Sequence, residues 1–298
     1  MFSEPPERTG EISYFQAIVI GVLQGVSELF PVSSLGHSVL VPALFGWSNV
    51  VHSEAASESS FLAFLVGLHV ATALALLIYF RRDWVGIVKG FGHTLATRRA
   101  ETPDERMAWL LIVGTVPVGI TGLLLEHPLR TLFAKPLAAA IFLTINGLIL
   151  FGGEYLRRRS ANGGSAPTRQ LDTLRYREAG VIGIFQTFAL LAGISRSGIT
   201  MVGGLLRGLD HEDAARFSFL LATPVILAAG LYKLPDLFGS LGEGIRGQVL
   251  VGSLAAGITA YLSVRFLMRY FETRTLTPFA IYCVVVGIAG TVYFGVVR

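Results

Sequence analysis

The chain has 298 residues, of which 52% are hydrophobic and only 15% charged, against roughly 25% charge in an average soluble domain. With a mean hydropathy of +0.62 too little polar surface remains to coat an ordinary soluble protein, and a single cysteine, Cys283, excludes an intrachain disulfide. The net charge of +4 fits basic loops on the cytoplasmic side of a bilayer better than nucleic-acid binding, so the class is an all-α integral membrane protein.

Residues 1–13 are acidic and lack a basic leader or a small-residue cleavage site, so they do not read as a signal peptide. The apolar stretch 14–47 starts as a helix, YFQAIVIGVLQGVSELF, is stopped by Pro31 and restarts after Val32-Ser33-Ser34. Segments 61–80, 107–125 and 137–153 are each apolar enough to cross a hydrocarbon core about 30 Å thick. A second broken stretch, 180–208, is interrupted at Ser195-Arg196-Ser197-Gly198. Three more spans follow at about 216–232, 248–264 and 277–297. His211-Glu212-Asp213, just before the first of these, reads as a solvated helix start. Each half of the two broken stretches is too short to span alone. Irregular backbone at membrane depth is tolerated only where it is buried in protein or lines a wet cavity, which makes both stretches re-entrant helix hairpins.

The two broken stretches match each other. Residues 19–46 align without a gap on 181–208, with identities that include Gly21/Gly183, Gln24/Gln186, Ser33/Ser195, Gly36/Gly198 and Gly46/Gly208. A second pair, VGTVPVGITGLL (113–124) and VGSLAAGITAYL (251–262), agrees further along. The sequence therefore predicts one membrane domain, 1–298, made of repeat 1 (about 14–153), a cytoplasmic loop (about 154–178) and repeat 2 (about 179–298). Three crossings separate the hairpins. An odd number puts the second on the opposite face, so six transmembrane helices and two re-entrant hairpins form an inverted-topology repeat. Segments 81–106 and 154–178 carry six Arg or Lys each while 48–60 has none, which makes the rich segments cytoplasmic and puts both termini outside. The hairpin tips then meet near mid-membrane.

The first tip holds Gln24, Glu28, Ser33, Ser34 and His37; the second holds Ser195, Arg196, Ser197 and Thr200. A charge at a helix centre in the bilayer costs about 2.5–3.5 kcal/mol or more on insertion scales, so Glu28 and Arg196 are natural partners. Charge alone leaves open whether they pin the repeats together or do chemistry. Helix starts after each break suit an anion, and a guanidinium fork matches phosphate oxygens. Ser34 and His37, three apart, share a helix face if the second half-helix starts at Ser34. Hydroxyl, imidazole, carboxylate and guanidinium around an anion hole form a parts list for phosphoryl transfer. Helix capping remains the plain reading of the serines, and a hydrogen-bonded core residue that of His37 taken alone. His69 and Thr72, one turn apart on 61–80, could face the cavity, but a hydrogen-bonded bundle pair is the plainer reading. No dense carboxylate cluster suggests a metal cage.

LQGVSELFPVSSLGH (23–37) closely resembles the first signature of the undecaprenyl-diphosphate phosphatases, the bacitracin-resistance family: Glu or Gln, three residues, Glu, then Pro-Val-Ser-Ser-x-Gly-His. AGISRSGIT (192–200) resembles the second, Pro-Gly-x-Ser-Arg-Ser-x-x-Thr, and FSFLLATPVILAAG (217–230) is also similar to the family, so the likeness runs over essentially the whole chain. Ala192 stands where the family usually has Pro, which touches only local break geometry. Gln24 takes the Glu/Gln position and shifts proton transfer to Glu28.

The resemblance implies hydrolysis of undecaprenyl diphosphate to the monophosphate and phosphate, which recycles the lipid carrier of cell-wall synthesis and confers bacitracin resistance. It carries over Glu28, Ser34, His37 and Arg196 as catalytic residues, with Gln24, Ser33, Ser195, Ser197 and Thr200 as substrate ligands. Ser34 is the expected nucleophile with Glu28 or His37 as base, and His37 as nucleophile stays open. No cofactor is expected beyond a divalent cation, Mg or Ca, assisting the diphosphate. The partners implied are the lipid diphosphate and the bilayer, not nucleic acid; a homodimer is left open. The expected location is the cell membrane with the site opening to the outer face. Broken helices meeting at mid-membrane also belong to transporters, so a carrier or flippase for a lipid phosphate or small anion is the rival reading.

Overall fold

A computed structural model describes residues 12–47, 60–133, 135–162, 169–239 and 244–297. Helix α1 (Tyr14–Ser27) starts where Ser13 caps it. The Ser13 hydroxyl accepts from the Gln16 amide at 3.1 Å, and the Gln16 side chain accepts from the Ser13 amide at 2.9 Å. Helix α2 (Ser34–Leu44) follows the break, then α3 (Ser60–Tyr79), α4 (Arg81–Thr97), α5 (Pro103–Phe133) and α6 (Pro136–Asn162). The second half holds α7 (Tyr176–Thr187), α8 (Arg196–Leu206), α9 (His211–Phe238), α10 (Arg246–Phe271) and α11 (Thr277–Val292). Among the described residues all regular structure is helical, apart from one isolated bridge between Arg169 and Leu209.

Among the described residues five helical stretches are long and apolar enough to cross a membrane: Pro103–Leu125, Pro136–Ser160, His211–Lys233, Arg246–Phe271 and Thr277–Val296. A sixth is reached if Ala63–Tyr79 counts with α4, from which it bends by 88°. All six expected spans thus fall on helices. Large apolar side chains such as Ile120, Leu124, Leu250, Ile258 and Val285 face outward, the arrangement lipid requires of an integral membrane protein. Helix α9 is the central one, with 61% of its span buried against 17% for α11.

Two segments read as loops turn out helical. Most of 81–106 is α4, whose Ile87, Gly90 and Thr94 are buried while its basic residues stay out. The expected loop 154–178 begins with α6 running on to Asn162; residues 163–168 lie outside the described part. Charge at a helix end masked the continuation, because a helix leaving the bilayer keeps its hydrogen-bonding period while its composition turns polar. The helix start at 211 is also drier than expected. Asp210 caps α9, but His211 is buried and its Nε2 lies 2.6 Å from Glu154 Oε1.

The matched sequence pairs pack in matched ways. Helix α1 lies on α10 and α7 lies on α5. A Cβ added to Gly21 would strike the Gly252 carbonyl, and one added to Gly183 would strike the Gly114 carbonyl. Gly21/Gly183 and Gly114/Gly252 are the pairs aligned between the repeats, so the same close backbone approach occurs twice. Without a solvent-driven force between helices in lipid, small residues secure such contacts by letting backbones approach. Gly183→Leu should therefore destabilise the protein by about 1–3 kcal/mol through overpacking. A lowered melting temperature in detergent checks this; an unchanged one would refute the contact.

Candidate active site

The two breaks are built alike. Ser33 caps α2, its Oγ accepting from the Gly36 amide at 3.2 Å, and Ser195 caps α8, its Oγ accepting from the Gly198 amide at 3.1 Å. Ser33 sits at φ 70°, an uncommon conformation for a residue with a Cβ. It is held by a second donor from the second break, the Gly193 amide at 3.1 Å. Gly193 itself has φ 109°, and a Cβ there would press on the Ala139 carbonyl and the Phe142 side chain. The breaks also touch crosswise. A Cβ on Gly36 would lie 2.9 Å from Gly193 Cα, and one on Gly198 would lie 3.2 Å from Pro31 Cβ. These two contacts join aligned positions of the repeats.

Glu28 lies at the junction. Its Oε2 accepts from the Ser34 hydroxyl at 2.5 Å and from Gln24 Nε2 at 3.1 Å. Its Oε1 accepts from Arg196 Nη2 at 3.0 Å, and Arg196 Nη1 donates to the Ser218 carbonyl at 3.3 Å. The expected partnership between Glu28 and Arg196 is thus present, across two segments far apart in sequence. Both side chains are largely buried, at 7% and 12% exposure, so each charge depends on the other and on these hydrogen bonds.

The other candidates divide. Ser195 lies beside the cluster and carries a hydrogen-bond chain: Gly198 amide to Ser195 Oγ, on to Ser197 Oγ at 3.0 Å, and from there to the Phe30 carbonyl at 3.2 Å. Thr200 Oγ1 bonds the Arg196 carbonyl at 2.8 Å and Ser218 Oγ at 2.6 Å. Ser197 and Thr200 are therefore occupied in holding the second break to its neighbours. His37 does not join Ser34. Its Nδ1 is 2.7 Å from the Ser33 carbonyl, its Nε2 is 2.8 Å from the Tyr282 hydroxyl, and its ring stacks on Tyr282. With both nitrogens taken, His37 fixes the start of α2 against α11. The shared helix face was misleading because Ser34, at the first turn, is drawn back to Glu28.

A cavity of about 670 Å³ opens over this cluster. Its polar end is lined by Ser27, Glu28, Ser33, Ser34, Ser195 and Arg196. Apolar walls come from Phe61 and Leu65 on α3, Val118 and Leu123 on α5, and Val225 and Ile226 on α9. The cavity thus joins a polar end to apolar walls. Among the described residues no three His, Cys, Asp or Glu side chains converge as metal ligands.

Two further residues belong here. His69, read as half of a bundle pair with Thr72, lines the cavity with its Nε2 3.7 Å from Glu28 Oε2, whereas Thr72 merely bonds the Leu68 carbonyl. Asn146 is fully buried on α6 and bridges the breaks: Nδ2 donates to the Pro31 carbonyl at 3.0 Å and Oδ1 accepts from the Ser195 amide at 2.9 Å. A lone amide in the apolar run 137–153 was the available signal, since a buried amide needs partners.

Known proteins resemble the chain throughout. The family model described as bacitracin resistance protein BacA matches residues 17–289. The chain is 59% identical to undecaprenyl-diphosphatase 2 of Frankia alni, over 96% of this chain and 99% of the relative. It is 58% identical to the undecaprenyl-diphosphatase of Mycolicibacterium paratuberculosis, over 96% and 98%. With undecaprenyl-diphosphatase 2 of Chromobacterium violaceum it shares 48% identity, over 93% and 98%.

Asn146→Leu keeps the volume but strands the Pro31 carbonyl and the Ser195 amide, at about 1–3 kcal/mol for each buried group left unpaired. The expected result is a protein with a clearly lower melting temperature in detergent. A melting temperature equal to that of the parent would show that the bridge carries no stability.

Proposed function

The chain belongs to the bacitracin resistance protein BacA family, and from that membership we propose that it hydrolyses undecaprenyl diphosphate to undecaprenyl phosphate and inorganic phosphate. The observation that carries the reading is the Ser34 hydroxyl donating to Glu28 Oε2 at 2.5 Å in the polar end of the cavity, with Arg196 on the other carboxylate oxygen. The product is the lipid carrier of peptidoglycan synthesis, and its regeneration is the basis of the bacitracin resistance for which the family is named.

In the first step Ser34 Oγ attacks the terminal phosphorus while Glu28 Oε2 takes its proton. The bond from phosphorus to the bridging oxygen breaks, and undecaprenyl phosphate leaves with the bonding pair. Arg196 keeps one nitrogen on Glu28 and offers its remaining N–H donors to the phosphate oxygens, where charge grows in the transition state. The isoprenoid tail lies along the apolar walls. Gln24 orients Glu28 through its 3.1 Å hydrogen bond, and Ser33 and Ser195 shape the anion end as caps of the two half-helices. His37 acts as a positioning residue for Ser33. Water then hydrolyses the phosphoserine. A divalent ion, Mg or Ca, would arrive on the diphosphate, neutralising it, because the carboxylates near the site do not form a cage.

The same reading places the fold in the membrane as an inverted repeat, six crossings with two re-entrant hairpins entering from opposite faces. The doubled Gly21–Gly252 and Gly183–Gly114 contacts support it. The basic segments 81–106 and 154–178 lie on the cytoplasmic side, the site opens to the outer face of the cell membrane, and a homodimer is compatible with this topology. A carrier would need the broken helices but has no use for a serine hydrogen-bonded to a carboxylate, which favours the hydrolase.

Phosphate release by purified protein in detergent tests the proposal. Ser34→Ala should lose roughly 10³-fold or more of the turnover at an unchanged melting temperature, and near-normal turnover would end the serine role. Arg196→Lys should also fail, because a point charge cannot hold Glu28 and phosphate oxygens at once; substantial activity would reduce Arg196 to charge neutralisation.

A further inference from the structure

Hydrolysis through a phosphoserine needs two proton acceptors, and the Ser34–Glu28 pair supplies one. Glu28 takes the serine proton in the first step. In the second, Ser34 Oγ is the leaving group and needs that proton back, so Glu28 acts as acid. The water attacking phosphorus must then give its own proton to a different group. Among the described residues, the titratable side chains lining the cavity besides Glu28 are His69, Arg196, Tyr232 and Lys233. Arginine stays protonated and cannot act as base. Tyr232 and Lys233 lie 14 and 15 residues along α9 from Ser218, whose carbonyl holds Arg196, which is roughly 21 Å of helix.

His69 remains, and its ring is set for the task. Nδ1 lies 2.8 Å from the Leu65 carbonyl. A carbonyl only accepts, so Nδ1 carries a hydrogen, and in the neutral ring Nε2 carries the lone pair. That nitrogen is 3.7 Å from Glu28 Oε2, the oxygen that also receives the Ser34 hydroxyl. His69 is the more open of the two side chains, 25% exposed against 7% for Glu28, and it lines the cavity.

We propose that His69 is a catalytic residue of the dephosphorylation step, its Nε2 accepting the proton of the water that attacks phosphoserine 34. This rests on the serine reading above. The oxygen–phosphorus bond to water forms and the Ser34 Oγ–phosphorus bond breaks. The bonding pair goes to Oγ, Glu28 returns its proton there, and the water proton moves to His69 Nε2. The resulting imidazolium faces the Glu28 carboxylate until its proton leaves with phosphate or solvent.

The experiment uses purified full-length protein in detergent and undecaprenyl diphosphate labelled at the terminal phosphorus. His69→Ala should release about one equivalent of undecaprenyl phosphate in a burst, retain the label as phosphoserine, and turn over on the order of 100-fold more slowly. Added imidazole should restore part of the rate. His69→Gln, closer in size, should behave the same at a melting temperature equal to the parent's, which separates chemistry from folding. Turnover within about threefold of the parent, or slow turnover with no trapped phosphoserine, would overturn the assignment. Ser34→Ala run alongside separates the two failures. If it still releases phosphate, the serine reading itself falls; if it is inactive while His69→Ala is fully competent, only the His69 assignment falls.

Discussion

A carboxylate and a guanidinium that share one largely buried site organise this molecule. Neither Glu28 nor Arg196 is cheaply left unpaired when buried, and the two lie far apart in sequence, Glu28 just after α1 and Arg196 at the start of α8. The 3.0 Å contact between them therefore constrains the two breaks to lie together. A buried ion pair of this kind adds little net stability compared with apolar packing; what it secures is a unique meeting point. The supporting bonds have the same effect. The Gly193 amide on Ser33 and the Asn146 bridge between Pro31 and Ser195 hold irregular backbone whose hydrogen bonds cannot be met by water.

Around that point the scaffold is symmetric and the chemistry is not. Gly36 against Gly193 and Gly198 against Pro31 are matched contacts between matched positions, as are the serine caps of α2 and α8. In the gapless alignment Ser34 falls on Arg196, Glu28 on Leu190 and His37 on Ile199. One break thus carries the hydroxyl and its carboxylate, while the other carries the cation that balances them. Each break supplies a serine-capped helix start, and the side chains placed beside the two starts differ.

How much of this was legible depended on the range of the interaction. The long apolar runs, the broken stretches and the duplicated glycines are local patterns, and the helices fall where those patterns put them. Helix ends in polar sequence were harder: α4 and the tail of α6 carry the charges of a loop while keeping helical hydrogen bonds. Of the site, Glu28, Ser34 and Arg196 announced themselves as polar groups in apolar surroundings within recognisable motifs. His37 belongs to the same motif, yet its ring turns to Tyr282, 245 residues away, a partner that no local spacing reveals.

Hydropathy and pattern along the chain were enough to establish a helical membrane protein with two interrupted segments that match each other, because hydrophobic length and periodicity are properties of the chain that lipid reads directly. Tertiary packing settled which polar groups share the cavity. It brought His69 to Glu28, assigned Asn146 to bridge the breaks and sent His37 to α11. Those outcomes depend on how helices rotate and approach when glycines meet backbone to backbone, a geometry set by partners from the other half of the molecule.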